Sequence, residues 1–475
     1  MVKKLAIVFI LILALVPAVL TAAAQVEGVG LRMILVKTEA EALDLRARIT
    51  KGESFEELAR KNSLDPSANS GGFLGAFAVT DLRKEFQDGL AGLHPGEISP
   101  AVKVGDGYAL LQLITATEAR WQIQNDAAVH ALEQEQYEDA ERYLLAAIEE
   151  AEKFGPQDTR LAGNLNNLAE VYHVQKNYAA AEPLHKRALA IREKVLGPDH
   201  VDVSVSLNNL AGLYQDQKKY SDAEPLYQRA LAIKEKALGP EDPDVGASLI
   251  NLAALYRDEG NYAMAEPLYK RALAVAEKAF GSDHPNVAAC LINLAGLYHD
   301  QENYAAAEPY YKRALAVMEK AFGPDDPNVA ANLVELAELY QDQENYAAAE
   351  PLYERALAIA EKNLGPDNPN LGTNLTNLAL VYEKLGKYSE AEPLYGRALG
   401  ILEKNLGPEH PDVGANLVNL ALFYEEQGKY AVAVPLYQRA LAIYEKAFAA
   451  DNSRVVETRA RLTRARQASE TRPQN

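Results

Sequence analysis

Histidine and cysteine are the side chains of this 475-residue sequence that would most readily bind a metal ion or act as a nucleophile. Histidine recurs at one place in a repeated segment, where other copies carry aspartate or asparagine: His200, His284 and His410, against Asp242, Asp326 and Asn368. A position that alternates among these residues is typical of a helix cap. Residues one repeat apart rarely converge on a single ion. We therefore predict that these residues cap helices, and we expect no metal site.

Cys290 is the sole cysteine, so the chain cannot form an internal disulfide. Other copies of the repeat carry serine or asparagine at the matching place, which predicts a small buried residue rather than a reactive one. No glycine-rich nucleotide loop stands out, nor does a serine or cysteine nucleophile paired with a base. We therefore expect no cofactor, and the sequence gives no support for a hydrolase or a transferase.

A segment of 42 residues recurs from residue 123 onward. The copies carry blocks such as LNNLA or LINLA at Leu165, Leu207, Leu249, Leu291, Leu333, Leu375 and Leu417, and a divergent copy fills residues 123–164. Apolar residues recur at helical spacing in two parts of each copy, as at Leu291, Leu294 and Tyr298 in the first part. Each copy is therefore predicted to be a pair of antiparallel helices. About eight such pairs over residues 123–458 predict a mostly α chain, an α-solenoid.

Glycine and proline mark the helix ends within each copy. Gly323 followed by Pro324 is typical of a helix C-terminus, and Asp326 followed by Pro327 is typical of a cap and first turn. A proline deep inside a helix costs about 3 kcal/mol. Recurrent prolines therefore predict that every second helix begins only a few residues before them: Pro183, Pro225, Pro267, Pro309, Pro351, Pro393 and Pro435.

The repeat has leucine, alanine and tyrosine in its first helix and spaced alanines in its second, and it resembles the tetratricopeptide repeat (TPR). The pattern NNLA…Y…AE…Y.RAL.I.EK.LG..HP.V is similar to the kinesin light chain type over residues 123–458. This resemblance implies a superhelix whose concave groove takes up extended peptides. It also implies that the second asparagine of each NNLA block lies in that groove, where Glu335 interrupts the series: Asn167, Asn209, Asn251, Asn293, Asn377 and Asn419.

An acidic residue follows four of these groove positions seven residues later: Asp216, Asp258, Asp300 and Asp342. Seven residues are close to two helical turns, so each aspartate is expected on the same helix face as the residue before it. If this acidic ladder lines the groove, the partner is a basic protein or peptide. The alternative is a solvated helix face that carries ordinary surface charge.

The N-terminal region, residues 31–114, carries the signals of a small α+β domain in the order strand, helix, helix, loop, helix, strand, strand. LRMILV and YALLQLI have the composition of strands, and DLRKEFQDGLAGL is amphipathic. Thr38 with Glu41, and Ser54 with Glu57, are capping boxes that open two helices. The segment NSGGFLGAF is predicted to be a glycine-rich turn.

This domain, assigned to residues 25–116, resembles the parvulin-type (PpiC-like) peptidyl-prolyl isomerases through ILVKTEAEA, F.ELA, GGFLGAF, HPGEIS and GYALLQL, in family order. Extracytoplasmic bacterial folding factors carry the same kind of domain. The resemblance implies a proline pocket built from Phe77, Leu82 and Phe86. It also implies that Asp65 is the catalytic carboxylate if the domain is active.

The buried histidine pair of that family is replaced here by Met33 and Ala109. In the family these histidines organise hydrogen bonds around an aspartate or cysteine, so their loss favours binding over catalysis without excluding catalysis. The domain is therefore interpreted as degenerate. Two glutamates in KTEAEA stand where phosphate-directed parvulins are basic, which argues against phosphopeptide specificity.

Charge helps to define the class of partner. The chain has a formal net charge of −19 and no basic stretch that would follow a phosphate backbone, which argues against nucleic acid. Three functions remain. The first is a chaperone-like scaffold that binds polypeptides, among them basic or proline-containing ones. The second is an active isomerase that its repeats bring to substrate, and the third is a structural adaptor. Residues 117–122 are expected to be a linker, and residues 459–475 a closing helix or tail.

Residues 1–24 have two lysines, an apolar run and small residues at Ala22 and Ala24, which together predict a secretory signal peptide. The expected location is therefore periplasmic or at the cell surface. The alternative is an uncleaved anchor that tethers the protein to the membrane, although the run from Leu5 to Leu20 is short for a complete span.

Export should yield a mature chain that begins near Gln25, because the small residues at Ala22 and Ala24 are typical of a cleavage site. Intact-mass spectrometry of the protein recovered from the extracytoplasmic fraction measures this directly. A chain that retains Met1 would identify the segment as an anchor instead.

Overall fold

The computed structural model describes residues 29–471. The predicted signal peptide and the end of the predicted tail, residues 472–475, lie outside the described residues. The described residues form two compact units, which divide after residue 233.

The first unit opens with a four-stranded antiparallel sheet in the order β2-β1-β4-β3. Its elements are β1 (Val29–Val36), α1 (Glu39–Thr50), α2 (Phe55–Asn62), β2 (Phe73–Phe77), α3 (Lys84–Leu90), β3 (Val102–Val104) and β4 (Gly107–Ile114). The predicted α+β fold is confirmed. The prediction of a simple turn in NSGGFLGAF was wrong for its second half, because residues 73–77 pair with β1 as a strand.

Gly72 allows β2 to approach β1 closely. The Met33 N–H donates to the Gly72 carbonyl at 2.8 Å. Gly72 has φ +82°, and a Cβ atom there would lie 2.4 Å from the Met33 carbonyl oxygen. A side chain would therefore clash with β1, and the conformation itself favours glycine.

Strands β1 and β4 separate two apolar layers. Ile34 and Val36 pack against α1 and α2 on one side, whereas Met33 and Leu111 belong to a second cluster that includes Leu90 of α3. This division follows from the alternation of side chains along a strand. The layer around Ile34 and Val36 packs α1 and α2 onto the sheet, and the layer around Met33 and Leu111 contains the candidate site.

Helix α4 (Ala116–Glu133) connects the sheet domain to the repeats. The Thr115 side chain caps it by accepting from the Glu118 N–H. The prediction of a linker at residues 117–122 was wrong, since these residues lie inside α4. Glycine and proline are absent from this stretch, so nothing local interrupts the helix.

The repeats form the predicted helix pairs, each packed on the next within its unit. The first unit contains α5 (Tyr137–Glu152), α6 (Thr159–Val174), α7 (Tyr178–Leu196) and α8 (Val201–Asp216), and the unit boundary falls within α9 (Tyr220–Leu238). The second contains α10 (Pro243–Asp258), α11 (Tyr262–Phe280), α12 (Pro285–Asp300), α13 (Tyr304–Phe322), α14 (Pro327–Asp342), α15 (Tyr346–Leu364), α16 (Leu371–Lys384), α17 (Tyr388–Leu406), α18 (Pro411–Glu426), α19 (Tyr430–Ala447) and α20 (Ser453–Thr471). The predicted array boundary at residue 458 therefore lies inside α20.

The predicted helix boundaries are borne out. Asp326 caps α14 with Pro327 in its first turn, and every recurrent proline lies five residues after the start of a second helix. The imidazole Nδ1 of His200 accepts from the Asp202 N–H at 3.2 Å, and His284 and His410 make the equivalent bond. Histidine serves here as a cap.

In the second unit, the second helices contribute a buried tyrosine and a buried alanine to each interface. The tyrosines that fill these interfaces in the second unit are at most 1% exposed: Tyr269, Tyr311, Tyr353, Tyr395 and Tyr437. Alanines such as Ala272 and Ala314, one turn further on, are completely buried. The small residue allows the close helix contact, and the ring fills the space between helices.

Arginine and glutamate join consecutive second helices. From α9 onward the arginine pairs with a glutamate 36 residues earlier, for example Arg271 with Glu235 at 2.6 Å and Arg439 with Glu403 at 2.6 Å. An exposed pair of this kind contributes about 0–1 kcal/mol. Its recurrence at successive interfaces leaves these charges already compensated within the chain.

His185 takes the place of the interface tyrosine in α7. It is fully buried, and its Nδ1 lies 3.0 Å from Asn166 Oδ1. Burial lowers the pKa of His185 to about 4; Glu170 opposes this shift and His173 adds to it. The folded state therefore holds a neutral imidazole.

His185→Tyr should remove a pH-dependent loss of stability. The folded-state pKa lies below the unfolded value of about 6.5. The wild type therefore loses stability as the pH falls below about 6.5, by about 3 kcal/mol near pH 4. Denaturant unfolding at pH 7, 5.5 and 4.5 should show the variant gaining on the wild type as the pH falls. His94→Gln, in an exposed turn, is the control and should show a constant difference; a constant difference for His185→Tyr would contradict the buried neutral state.

Candidate functional site

An apolar cluster, which we call the cradle, lies on the α3 side of the sheet. Met33, Ala109 and Leu111 are its buried floor, and the half-buried Phe77, Leu82 and Phe86 pack against this floor. Ala109 pairs with Leu35 on β1, and Met33 pairs with Leu111 on β4, so both replaced histidine positions lie on one face of neighbouring strands. The structure thus brings the predicted pocket residues together.

The floor of the cradle offers a ligand no side-chain hydrogen bond from Met33 or Ala109. Methionine is at most a weak acceptor through its sulfur, and alanine has no polar side-chain atom. Both residues are at least nine-tenths buried among apolar neighbours. The cradle can therefore hold an apolar ring by packing, but these two residues cannot organise a polar network beneath it.

Asp65 lies beside β1 and caps a short 3₁₀ turn. The Leu64 N–H donates to the Leu35 carbonyl at 2.8 Å, which fixes this loop against the strand. Asp65 Oδ1 accepts from the Ser67 N–H at 2.9 Å and from the Ser67 hydroxyl at 2.6 Å. One carboxylate oxygen is thus engaged by its own turn.

Arg32, which the sequence reasoning missed, ties the sheet to α2 and α4. Its side chain is buried on β1 and forms ion pairs with Glu56 of α2 and with Glu118 of α4, the latter at 3.1 Å. Burial acts to raise the pKa of Glu56, but Arg32 lowers it and the net shift is downward. The sequence signal for this buried ion pair was an arginine within an apolar strand, with glutamates in two later helices as candidate partners.

Within each unit, the first helices of the repeats present the predicted asparagines on one face, which we call the amide face of that unit. Its members are all half-buried: Asn167 and Asn209 in the first unit, and Asn251, Asn293, Asn377 and Asn419 in the second. Within residues 29–471, none of these six amides hydrogen-bonds to another group of the chain. Each side chain therefore keeps both its donor and its acceptor for an external partner.

The acidic ladder is exposed, but three of its four carboxylates already have basic neighbours. Asp216 lies 2.7 Å from His173, Asp342 lies 2.7 Å from His299, and Arg257 pairs with Asp300. Each pair joins the first helices of consecutive repeats. The Glu170 hydrogen bond is the largest cause that raises the pKa of His173, and Asp216 adds to it. The ladder thus stabilises the stacking, and its charge is partly neutralised.

Helix α14 carries the most acidic stretch of the amide face. Glu335 replaces the asparagine and accepts from the Tyr311 hydroxyl at 3.3 Å. Glu338 lies one turn further along, where burial raises its pKa and the nearby Glu335 and Asp342 raise it further. A cation bound here would relieve this repulsion.

Metal binding and membrane spanning find no support in the described part of the chain. Within residues 29–471, no group of three or more potential ligands is arranged to hold a metal ion. No helix of that range is long and apolar enough to cross a membrane. Cys290 is buried, and burial raises the pKa of its thiol to about 11, which keeps the sulfur protonated.

The family model for the tetratricopeptide repeat matches residues 160–236, 244–320, 293–362, 328–404 and 377–446, which together exceed half of the sequence. This chain belongs to the tetratricopeptide repeat family. The solved structure of BtubC (BKLC) from P. vanneervenii is 26% identical to this TPR protein, with a TM-score of 0.43; the match covers 49% of this chain and 92% of that one.

The model of the PPIC-type PPIASE domain matches residues 35–115 of the TPR protein, which confirms the resemblance to parvulin-type isomerases. Foldase protein PrsA from Clostridium tetani is 42% identical over 86 residues, which cover 18% of this chain and 25% of PrsA. Chaperone SurA from Nitrosospira multiformis is 37% identical over 103 residues, which cover 20% and 23%. The TPR protein therefore spans about a quarter of the length of these curated relatives.

Glu118→Gln should destabilise the sheet domain of the TPR protein, because it leaves the buried Arg32 with a single carboxylate partner. We expect a loss of about 1.5–3 kcal/mol, the usual range for a hydrogen bond to a charged group. Thermal unfolding followed through the sheet domain would measure it. Glu133→Gln, on the same helix but in an exposed pair with His130, is the matched control and should cost under about 0.5 kcal/mol. Equal losses of stability in the two variants would show that the ion pair between Arg32 and Glu118 does not stabilise the sheet domain.

Proposed function

We propose that this TPR protein is an extracytoplasmic scaffold of the chaperone type that binds extended polypeptide segments on its amide face. The observation that carries this proposal is the contrast between the two kinds of helix. The second helices pair arginine with glutamate from repeat to repeat, whereas the six asparagines of the amide face have no hydrogen-bond partner in the described chain. Half-buried amides without partners are well suited to a peptide backbone, which offers one donor and one acceptor per residue.

The N-terminal domain supplies a second contact in this proposal. A proline ring fits an apolar cradle with aromatic walls, here Phe77 and Phe86, and Leu82 completes the wall. The relatives named foldase and chaperone support a role in handling other proteins. Because Met33 and Ala109 provide no polar network, the cradle binds proline-containing segments in our proposal without accelerating their isomerisation.

The partner favoured by the charges is a protein or peptide with a basic residue. Glu335 and Glu338 of α14, rather than the paired aspartates of the ladder, are the carboxylates with most to gain from a lysine or arginine of the segment. The net charge of −19 argues against nucleic acid as the partner. The extracytoplasmic location rests on the predicted signal peptide, and an uncleaved signal would add a membrane tether.

Active isomerisation is the second candidate, favoured by Asp65. Its loop is held against β1 beside the cradle, and one of its carboxylate oxygens makes no hydrogen bond within residues 29–471. In that case the TPR array delivers substrates to a parvulin-type isomerase. The two candidates share the binding step and differ in whether the barrier of about 18–20 kcal/mol is lowered.

Asn251→Ala combined with Asn293→Ala should weaken binding of a fluorescein-labelled, unstructured 12-residue peptide of serine, threonine and alanine by about tenfold. Each lost hydrogen bond is worth about 0.5–1.5 kcal/mol. Fluorescence anisotropy gives Kd. Asn286→Ala combined with Asn328→Ala removes the same side chains from exposed first turns of α12 and α14 and should leave Kd unchanged. Equal Kd values for the wild type and both double variants would exclude the amide face as the peptide-binding surface.

A prolyl isomerisation assay on an unphosphorylated X–Pro peptide separates the two candidates. The full-length protein should not accelerate the reaction, whereas Phe86→Ala should weaken binding of the same peptide by removing an aromatic wall. Acceleration that Asp65→Ala reduces would establish the enzyme instead. Asp81→Ala, an exposed carboxylate near the cradle, is the matched control for Asp65→Ala.

A further inference from the structure

Helix α14 contains a buried amide without a hydrogen-bond partner. The Asn332 side chain lies in the interior of the second unit, where the residue is only 1% exposed. Neither its Oδ1 nor its Nδ2 bonds to another atom within residues 29–471. A buried polar group of this kind keeps the full cost of its removal from water. Asn332 therefore destabilises the place where α14 packs into the stack.

Other repeats satisfy the same position in two ways, and α10 shows the first. Ser248 of α10 corresponds to Asn332, and its hydroxyl donates to the Asp244 carbonyl of its own helix at 3.2 Å. On α12 the position is held by Cys290, whose thiol is only a weak donor and acceptor. Neither residue leaves a strongly polar atom buried without a partner.

Helix α18 shows the second way. Asn416 corresponds to Asn332, and its Nδ2 donates to the Thr376 hydroxyl of α16 at 2.9 Å, although its Oδ1 has no partner. Thr376 lies 40 positions before Asn416, on the preceding first helix. The residue 40 positions before Asn332 is Ile292 of α12, which has no polar side-chain atom. The repeat register thus explains why the Asn332 amide is left without a bond.

Three carboxylates also weaken α14 itself. Glu335, Glu338 and Asp342 are spaced by three and four residues, so each lies next to the following one on the helix surface. Like charges at this spacing destabilise a helix. Burial raises the pKa of Glu338, and Glu335 and Asp342 raise it further, while His299 opposes them. His299 pairs with Asp342 and thereby compensates one end of the series.

The junction between α14 and α16 has no equivalent of the ion pairs that join other first helices. Such pairs connect α10 to α12, α12 to α14 and α16 to α18: Arg257 with Asp300, His299 with Asp342, and Lys384 with Glu426. Where the first two pairs have residues 43 positions apart, the α14–α16 junction has Gln341 and Lys384. Gln341 is neutral and instead accepts from the Tyr353 hydroxyl of α15 at 3.2 Å.

We propose that α14 is an internal opening point of the second unit, where the stack separates locally more often than at the neighbouring first helices α12 and α16. The unbonded Asn332 weakens its packing, the three carboxylates weaken the helix, and the junction with α16 lacks an ionic link. Because a stack of repeats is held by a sum of neighbour interactions, one weak member can open while the others remain folded. Opening at α14 interrupts the amide face of the second unit between Asn293 and Asn377. This property of the fold goes beyond the proposed function and is independent of peptide binding.

Native-state hydrogen exchange of the full-length protein, resolved by mass spectrometry, measures such opening helix by helix. At neutral pH the core amides of α14 should exchange about tenfold faster than those of α12 and α16, after correction for intrinsic rates. A stack that opens only from its ends would instead show exchange that changes steadily along the unit. Exchange in α14 that is no faster than in both neighbours would overturn the proposal.

Asn332→Ser tests the cause, because it installs the hydroxyl that Ser248 carries at this place and that can bond within its own helix. Exchange in α14 should slow about tenfold when the unbonded amide is removed. Asn416→Ser is the matched control on α18, where the same change removes a bonded amide, and it should not slow exchange in α18. Unchanged exchange in α14, or equal slowing of both helices by serine, would overturn the proposal.

Ile292→Thr supplies the missing partner from α12, as Thr376 does for Asn416. It should slow exchange in α14 about fivefold in the presence of Asn332, and it should have no such effect in the Asn332→Ser variant. An equal effect in both backgrounds, or none in either, would show that the Asn332 amide does not cause the opening. Circular dichroism melting checks that each variant folds.

Discussion

A single helix pair of this chain cannot bury its own apolar face, and it does so against the next pair. The interface tyrosine fills the space between consecutive pairs, and the buried alanines let the helices approach. Because the repeat length is constant at 42 residues, similar contacts recur at successive interfaces within each unit, although His185 replaces the tyrosine in α7. The polar pairs on the surface recur with the same spacing. Arginine pairs with glutamate between second helices, and ladder aspartates pair with histidine or arginine between first helices. Stability is therefore distributed as a sum of similar neighbour interactions.

The distribution of these internal polar pairs determines which surface of the repeats is available to a partner. Charges on the second helices are compensated within the chain, so they offer little to an external ligand. The six asparagines of the amide face are neutral and have no hydrogen-bond partner within residues 29–471, so they can accept a peptide backbone without breaking an internal bond. Two positions of the asparagine series carry a charged residue instead. Glu335 and Arg461 place opposite charges at equivalent repeat positions of the second unit.

The N-terminal domain combines a retained apolar cradle with a buried ion-pair network elsewhere. Met33 and Ala109 replace polar residues by apolar ones, which suits packing around a ring. The buried charge of Arg32 is held on the opposite face of β1 by glutamates from α2 and α4. Since a buried unpaired charge is costly, α4 is part of this domain's stability as well as the first helix of the repeats.

The sequence by itself determined the repeat length, the helix pairs, their caps and prolines, and the α+β domain, because these depend on local periodicity and on residues within a few positions of one another. It also identified the amide series, whose spacing is visible in the chain. Tertiary structure alone decided what depends on distant partners: the pairing of Asp300 with Arg257 of the preceding repeat, the strand formed by residues 73–77, and the burial of Arg32. The same holds for residues 117–122, where local signals allowed either a linker or a helix and packing against α5 selected the helix. Local propensity is weak where a segment's energy comes mainly from contacts far along the chain.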